Sequence, residues 1–110
     1  MELPASTFET IDWNQETQTE HPGASGLARW RTRVFGDVRI RLVEYSPGYL
    51  ADHWCSRGHI LLVLAGEIVS ELEDGRSFVL KPGHSYYVSD DGDSPHRSHT
   101  ATGAKLFIVD

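Results

Sequence analysis

The feature that most limits how this 110-residue chain can fold is an alternation of side-chain character with a period of two residues. In Leu27–Val34, three arginines occupy alternate positions, and Trp30, Thr32 and Val34 occupy the positions between them. The same alternation resumes in Val38–Tyr45 after a short turn containing glycine. Successive side chains of a β-strand point to opposite faces, so two such runs predict a β-hairpin.

Further short segments of strand-like composition follow the hairpin, separated by Gly, Pro and Asp. They are Tyr49–Trp54, His59–Leu64, Glu67–Glu73, Arg76–Leu80, Ser85–Ser89, His96–Thr100 and Lys105–Val109. Strands about every ten residues, without a helical pattern of that length, predict an all-β sandwich or small barrel. A chain of this length is expected to form one domain.

Residues 1–26 differ from the rest of the chain. They contain five acidic residues and no lysine or arginine, and they show neither a helical nor a two-residue period. Four apolar side chains in this segment could pack on the rest of the protein: Leu3, Phe8, Ile11 and Trp13. We therefore predict an irregular N-terminal arm (residues 1–26) packed on a single β-domain (residues 27–110).

Five of the ten basic residues lie between Arg29 and Arg41, directly after the acidic arm. Two interpretations of this arginine face are open. It could be the solvated outer face of a sheet, or the acidic arm of the same or a second subunit could cross it. Exposed ion pairs each contribute only about 0–1 kcal/mol, so they would orient the arm rather than hold it.

Composition excludes several classes of function. The formal net charge of −6 argues against nucleic acid or a membrane surface as the main partner. The single cysteine, Cys55, excludes an intramolecular disulfide and a zinc cage built from several cysteines. No apolar run approaches the roughly 18–20 residues of a membrane span. We expect a soluble, cytoplasmic protein.

Potential metal ligands are concentrated in one segment. His53 and Cys55 are two residues apart, so on a strand their side chains point to the same side. His59 follows four residues later, and His96 stands far downstream, directly after a proline. Imidazole and thiolate are strong ligands for ions such as zinc. Glu44 and Asp52 are candidates to orient such imidazoles.

The spacing of these residues resembles the sequence motifs of the cupin superfamily. Gly48, His53-x-Cys55, His59 and Gly66 follow the frame of the first cupin motif with one deletion. Gly83 and His96 follow the second motif loosely, with an insertion. The run Asp52-His53-Trp54-Cys55 resembles the small single-domain cupins of the DHCW-motif group. The resemblance implies a double-stranded β-helix, a jelly-roll-like barrel, and a homodimer.

The resemblance also implies a ligand set. His53 stands at the usual first histidine, Cys55 at the second, His59 at the glutamate and His96 at the last histidine. Both changed positions carry residues that bind metal. The implied cofactor is a divalent metal, with zinc favoured and nickel, iron or copper possible. Four protein ligands would close a tetrahedral zinc site, whereas three would leave an open position for water or substrate.

Three alternatives to this metal site remain. The same residues could line a metal-free ligand pocket or be ordinary packing, and Cys55 near His53 and Arg57 could be a reactive or sensing thiol.

The tyrosines expected at the barrel mouth are Tyr45, Tyr49 and Tyr86. The sequence favours a small-molecule-binding protein over a metal-dependent isomerase, hydrolase or oxygenase, because no clear general acid or base accompanies the ligands. It identifies no catalytic residue and no substrate.

Overall fold

The structure, a computed structural model, describes residues 3–110 and is almost entirely β. A single 3₁₀ turn at Trp13–Gln15 precedes nine strands. The strands are β1 (Gln18–Pro22), β2 (Leu27–Phe35), β3 (Val38–Tyr45), β4 (His59–Gly66), β5 (Ile68–Leu72), β6 (Ser77–Leu80), β7 (Ser85–Val88), β8 (His96–His99) and β9 (Ala104–Val109). No helix in the described residues has the length and apolar character needed to cross a membrane.

The strands form two antiparallel sheets. The larger sheet has the order β1-β2-β3-β9-β4-β7, and the smaller has the order β6-β5-β8. The hydrophobic core contains residues of both sheets: Val43, Leu61, Val63, Ile68, Leu80, Leu106 and Ile108. Register explains part of it, because Val43 and Val63 both lie opposite Leu106 of the intervening strand β9. The all-β prediction is therefore confirmed.

One predicted strand is absent. Tyr49–Trp54 forms no ladder, although the residues at its two ends make isolated bridges. Leu50 pairs with Ser25 and with His99, and Cys55 pairs with His96. The chain bends at residues 52–53 between these bridges. The segment is therefore an irregular connection fastened at two points, and its composition alone suggested a strand.

The N-terminal arm lies across the larger sheet. Its described part, residues 3–26, is irregular up to the 3₁₀ turn, but Gln18–Pro22 forms the edge strand β1, paired antiparallel with β2. The first two residues of the predicted arm lie outside the described part of the chain. The arm is thus partly regular, because its final residues continue the sheet.

Side chains of the arm contact the arginine face of β2. The Trp13 ring meets the Phe107 ring edge-on, with centroids 6.3 Å apart, and the Trp13 carbonyl accepts a hydrogen bond from Arg31 Nη1 at 2.8 Å. Arg33 Nη1 lies 2.8 Å from Glu16 Oε1. The second interpretation of the β2 arginines therefore applies, because the arm of the same chain crosses them.

Candidate functional site

A cavity of about 180 Å³ lies within the β-structure, and the metal ligands and tyrosines predicted from the sequence all line it. They are His53, Cys55, His59, His96, Tyr45, Tyr49 and Tyr86. A second cavity of about 420 Å³ shares Tyr86 and His96 with the first. An open surface groove of about 1220 Å³ also touches His59. We take the first cavity as the candidate site because it brings the sequence-derived residues together.

Two histidines face each other in this cavity. His59 begins β4 and His96 begins β8, and their Nε2 atoms are 2.9 Å apart. Burial, together with the neighbouring His59, lowers the pKa of His96 below its usual value of 6.5. A neutral imidazole carries one proton, so a hydrogen bond between the two Nε2 atoms needs one donor and one acceptor. One Nε2 atom therefore carries a proton, and the other accepts it with its lone pair.

Cys55 is fixed beside His96 by its backbone. The Cys55 amide donates to the His96 carbonyl at 2.8 Å, and the His96 amide donates to the Cys55 carbonyl at 2.9 Å. The thiol is half-buried and forms no disulfide. Although the segment is not a regular strand, this single bridge holds Cys55 at the cavity wall.

His53 stands at the outer rim. Its side chain is 74 % exposed, and its Nδ1 lies 2.6 Å from the Asp52 carboxylate. That contact lowers the pKa of Asp52. Glu44, the other carboxylate considered from the sequence, lies 3.4 Å from Lys105 on the neighbouring strand instead. Of these two carboxylates, Asp52 therefore contacts a candidate histidine, and Glu44 pairs with a lysine.

Two of the four proposed ligands, His59 and His96, lie close to each other. Two zinc–nitrogen bonds of about 2.0–2.1 Å at bond angles between about 90° and 109° separate their nitrogens by roughly 2.9–3.4 Å. The 2.9 Å between His59 and His96 lies at the 90° end of this range, below the roughly 3.3–3.4 Å of a tetrahedral zinc site. Among residues 3–110, however, no group of three or more His, Cys, Asp or Glu side chains is assembled for a metal ion. Of the four proposed ligands, His59 and His96 are thus the two whose ring nitrogens lie close together in the described residues.

A buried charged cluster that was not predicted from the sequence lies in the same cavity. Asp110 accepts hydrogen bonds from Arg39 at 2.9 and 3.0 Å and from Arg41 at 2.9 Å. The Asp110 side chain is 1 % exposed. Burial alone would raise the pKa of this carboxyl, but the His59 ring and the Arg39 and Arg41 guanidinium groups hold it well below its usual range. Asp110 is therefore ionised and held inside the protein.

Register explains how these residues meet. Ile40 and Ile60 both pair with Val109 of β9, and the next residues on the three strands are Arg39, Asp110 and His59. Directly opposite side chains on adjacent strands project to the same face, so the three lie in one row. The Asp110 Oδ2 atom is 3.4 Å from His59 Nδ1, without hydrogen-bond alignment. The row positions a carboxylate behind the histidine that faces His96.

Arg41 lies one step deeper. It pairs with Ile108 of β9, its side chain is 7 % exposed, and its guanidinium lies 4.3 Å from the centre of the Trp30 ring. Arg39, Arg41 and Val43 occupy every second position of β3 and therefore share one face. Because Val43 belongs to the core, this spacing could have identified the two arginines as inward-facing. The expectation of a solvated outer face is wrong for Arg41, because a carboxylate from another strand compensates its charge.

Tyrosines form the remaining polar wall. The Tyr45 and Tyr49 rings stack with centroids 4.2 Å apart, and the Tyr86 ring lies 5.8 Å from His59 and 6.0 Å from His96. Burial raises the pKa of Tyr45 and of Tyr86 well above the ordinary value of 10.0. Both phenols therefore remain neutral, and the cavity carries hydrogen-bonding hydroxyls beside its charged cluster.

Comparison with solved structures identifies the architecture. Ectoine synthase from P. lautus superimposes with a TM-score of 0.74 at 13 % identity, covering 93 % of this chain and 76 % of that one. An RmlC-like cupin from Shewanella frigidimarina gives 0.72 at 18 % identity, covering 94 % and 89 %. A predicted oxalate decarboxylase from Thermotoga maritima gives 0.73 at 15 % identity, covering 92 % and 96 %.

Sequence comparisons add no assignment, because neither a family model nor a curated protein matches this chain. The structural similarity extends over more than nine-tenths of the chain in all three cases. At identities below 20 % this similarity shows the fold, whereas the chemistry of the site depends on its own residues. The two antiparallel sheets and these three similarities show that the chain has the cupin fold, a jelly-roll β-barrel.

Proposed function

We propose that this protein is a small-molecule-binding cupin whose cavity holds a divalent metal, preferably zinc, at His59 and His96. The observation that supports this proposal is the 2.9 Å approach of their Nε2 atoms inside the cavity. Cys55 and His53 line the same cavity and are the candidate further ligands. A bound divalent metal would supply a Lewis acid for an oxygen or nitrogen atom of the ligand.

The protein's own residues have defined parts in this proposal. Asp110 lies behind His59 and favours a proton on Nδ1, which leaves Nε2 free as a metal ligand. Burial lowers the pKa of His96, which favours its neutral imidazole at neutral pH, and with the proton on Nδ1 its Nε2 can bind a metal. Tyr45 and Tyr86 offer neutral hydroxyls to a bound small molecule.

The ionisation and hydrogen bonding of Asp110, the single carboxylate among the described lining residues, favour a binding function over catalysis. Asp110 is ionised and already accepts hydrogen bonds from Arg39 and Arg41, so it is not a free general base. The alternative is a metal-dependent isomerase, hydrolase or oxygenase. Two proteins of similar fold are named as a synthase and a predicted decarboxylase, and this is the reason to retain that alternative.

The decisive experiment is a metal titration of chelator-treated protein, followed by calorimetry. We expect zinc to bind the unmodified protein at one site, and His59→Ala and His96→Ala to abolish that binding. His99→Ala is the matched control, because His99 is on the same strand as His96 but does not line the cavity. Nickel, iron(II) and copper(I) are titrated in parallel. Absence of binding by all four metals would overturn the proposal.

A metal-free thiol function is separated by a second measurement. Cys55→Ser is expected to weaken zinc binding if the thiol is a ligand, and bound zinc should then protect Cys55 from alkylation in the unmodified protein. A thiol that reacts rapidly whether or not zinc is present, in a protein that binds no metal, would favour the sensing alternative.

We further propose that the protein forms a homodimer in the cytoplasm. The support for a dimer is the edge strand β7, where Tyr87 is 87 % exposed beside its half-exposed partner Ile60 of β4. Exposed strand edges and apolar side chains are commonly covered by association.

A further inference from the structure

The interior end of the 180 Å³ cavity carries more positive than negative charge. Four arginines line it: Arg39, Arg41, Arg57 and Arg97. The Nε of Arg97 lies 3.1 Å from the Glu71 carboxylate, which neutralises it. The other three share Asp110, the single carboxylate among the described lining residues. Counted over side chains alone, the cluster therefore has a formal surplus of two positive charges.

Arg41 shows that Asp110 does not satisfy this cluster. Its Nη2 donates to Asp110, but its Nε is buried and has no hydrogen-bond partner within residues 3–110. Burial lowers the pKa of Arg41, which reflects the cost of holding its charge away from water. A buried guanidinium is normally paired through all the donors that water cannot reach. The charged cluster that lines the cavity thus contains a buried cation with one unpaired donor.

Arg57 is the more accessible member. Its side chain is 51 % exposed, and its Nε lies 3.7 Å from Asp110, beyond hydrogen-bond distance. It lines both the cavity and the open surface groove. Arg57 can therefore contact a ligand without first giving up a hydrogen bond to Asp110.

The remaining wall is suited to an organic group. Trp30 lies against Arg41, and Leu61 and Ile108 of the core line the same space. Since a water molecule occupies about 30 Å³ in the liquid, a volume of 180 Å³ accommodates roughly six non-hydrogen atoms. An apolar wall next to incompletely paired guanidinium groups matches a short organic anion better than an inorganic one.

We propose that the ligand of this cavity is a small carboxylate, whose carboxylate group binds Arg41 and Arg57. The proposal rests on small-molecule binding in the cavity, as proposed above, but it does not require the metal. Guanidinium groups recognise carboxylates through paired, charge-assisted hydrogen bonds. Such a ligand neutralises part of the surplus charge and places its apolar portion against Trp30, Leu61 and Ile108.

The test is calorimetric titration of chelator-treated protein with butanoate, a six-atom carboxylate, and with butanamide, its uncharged analogue. We expect butanoate to bind and butanamide to bind at least about tenfold more weakly, since a hydrogen bond to a charged group is worth that factor or more. Arg41→Gln is expected to weaken butanoate binding about tenfold or more, and Arg57→Gln several-fold. Arg29→Gln removes the same charge outside the cavity and should leave the affinity unchanged.

Other outcomes overturn the inference. Equal affinity for butanoate and butanamide would remove the role of charge, and binding of inorganic phosphate without butanoate would replace the ligand class. If Arg41→Gln does not fold, Arg57→Gln decides, and an unchanged affinity in that variant contradicts the proposal. Zinc titration of the same variants keeps the two proposals apart: His96→Ala should lose zinc yet retain butanoate, whereas Arg57→Gln should retain zinc.

Discussion

Asp110, which directly follows β9, lies opposite Arg39 of β3, and the two residues are joined by backbone and by side-chain hydrogen bonds. Their backbones exchange hydrogen bonds in both directions, and the Arg39 guanidinium donates two hydrogen bonds to the Asp110 carboxylate, at 2.9 and 3.0 Å. The same carboxylate accepts from Arg41. One acidic side chain thus holds two arginines within the barrel.

Replacement of Asp110 should be strongly destabilising. Asp110→Asn leaves the buried Arg41 without its charge partner, so we expect the free energy of unfolding to fall by about 3–5 kcal/mol. Urea denaturation measures the change. Asp74→Asn is the matched control: Asp74 pairs with Arg76 on the surface, and its loss should leave stability nearly unchanged. Equal stabilities of the two variants would contradict the structural role of Asp110.

The buried tyrosines should make the protein sensitive to alkali. Burial raises the pKa of Tyr45, Tyr49 and Tyr86 in the folded state, so above about pH 10 the unfolded chain binds fewer protons than the folded one. Stability should therefore decrease as pH rises from 10 to 12. Tyrosinate absorbance at pH 11 should be lower for folded than for urea-unfolded protein. Superimposable titrations of the two states would show that these phenols are accessible.

The N-terminal arm should contribute to stability through Trp13. Trp13→Ala removes the half-buried ring that contacts Phe107, and we expect a loss of about 1–2 kcal/mol in the free energy of unfolding. Phe8→Ala tests the specificity of this effect, because Phe8 belongs to the same arm but is 96 % exposed. A Trp13 variant as stable as the Phe8 variant would mean that the arm does not support the sheet.

Dimerisation should depend on the exposed face of β7. Sedimentation equilibrium is expected to give about twice the chain mass of 12.3 kDa, and Tyr87→Lys is expected to shift the protein toward the monomer. Phe8→Lys introduces the same charge at another exposed aromatic position and should not change the mass. A monomeric unmodified protein would contradict the dimer proposal directly.

Local patterns predicted much of the fold. Alternation located β2 and β3 to within one residue, because a half-buried strand shows its period in the sequence. Tyr49–Trp54 has strand composition but makes only isolated bridges at its ends. Whether such a segment joins a ladder is decided by the strands around it, which local composition does not describe.

The site was only partly predictable for a related reason. A period of two shows which residues share a face but not which face is inside. Arg41 shares its face with Val43, and that face points inward because Asp110, 69 positions away in the chain, meets it there. The candidate histidines were recognisable from their chemistry, whereas the buried ion cluster depends on the register of β3, β9 and β4, which no local pattern specifies.

The position of β9 has a consequence for how the protein is made. This strand follows all the others in the chain, yet it lies between β3 and β4 in the larger sheet. While the ribosome is still adding residues 104–109, the two halves of that sheet have no partner to join them. Their apolar edges must be kept from other chains until β9 emerges, so the sheet closes only after nearly all of the described chain has been synthesised.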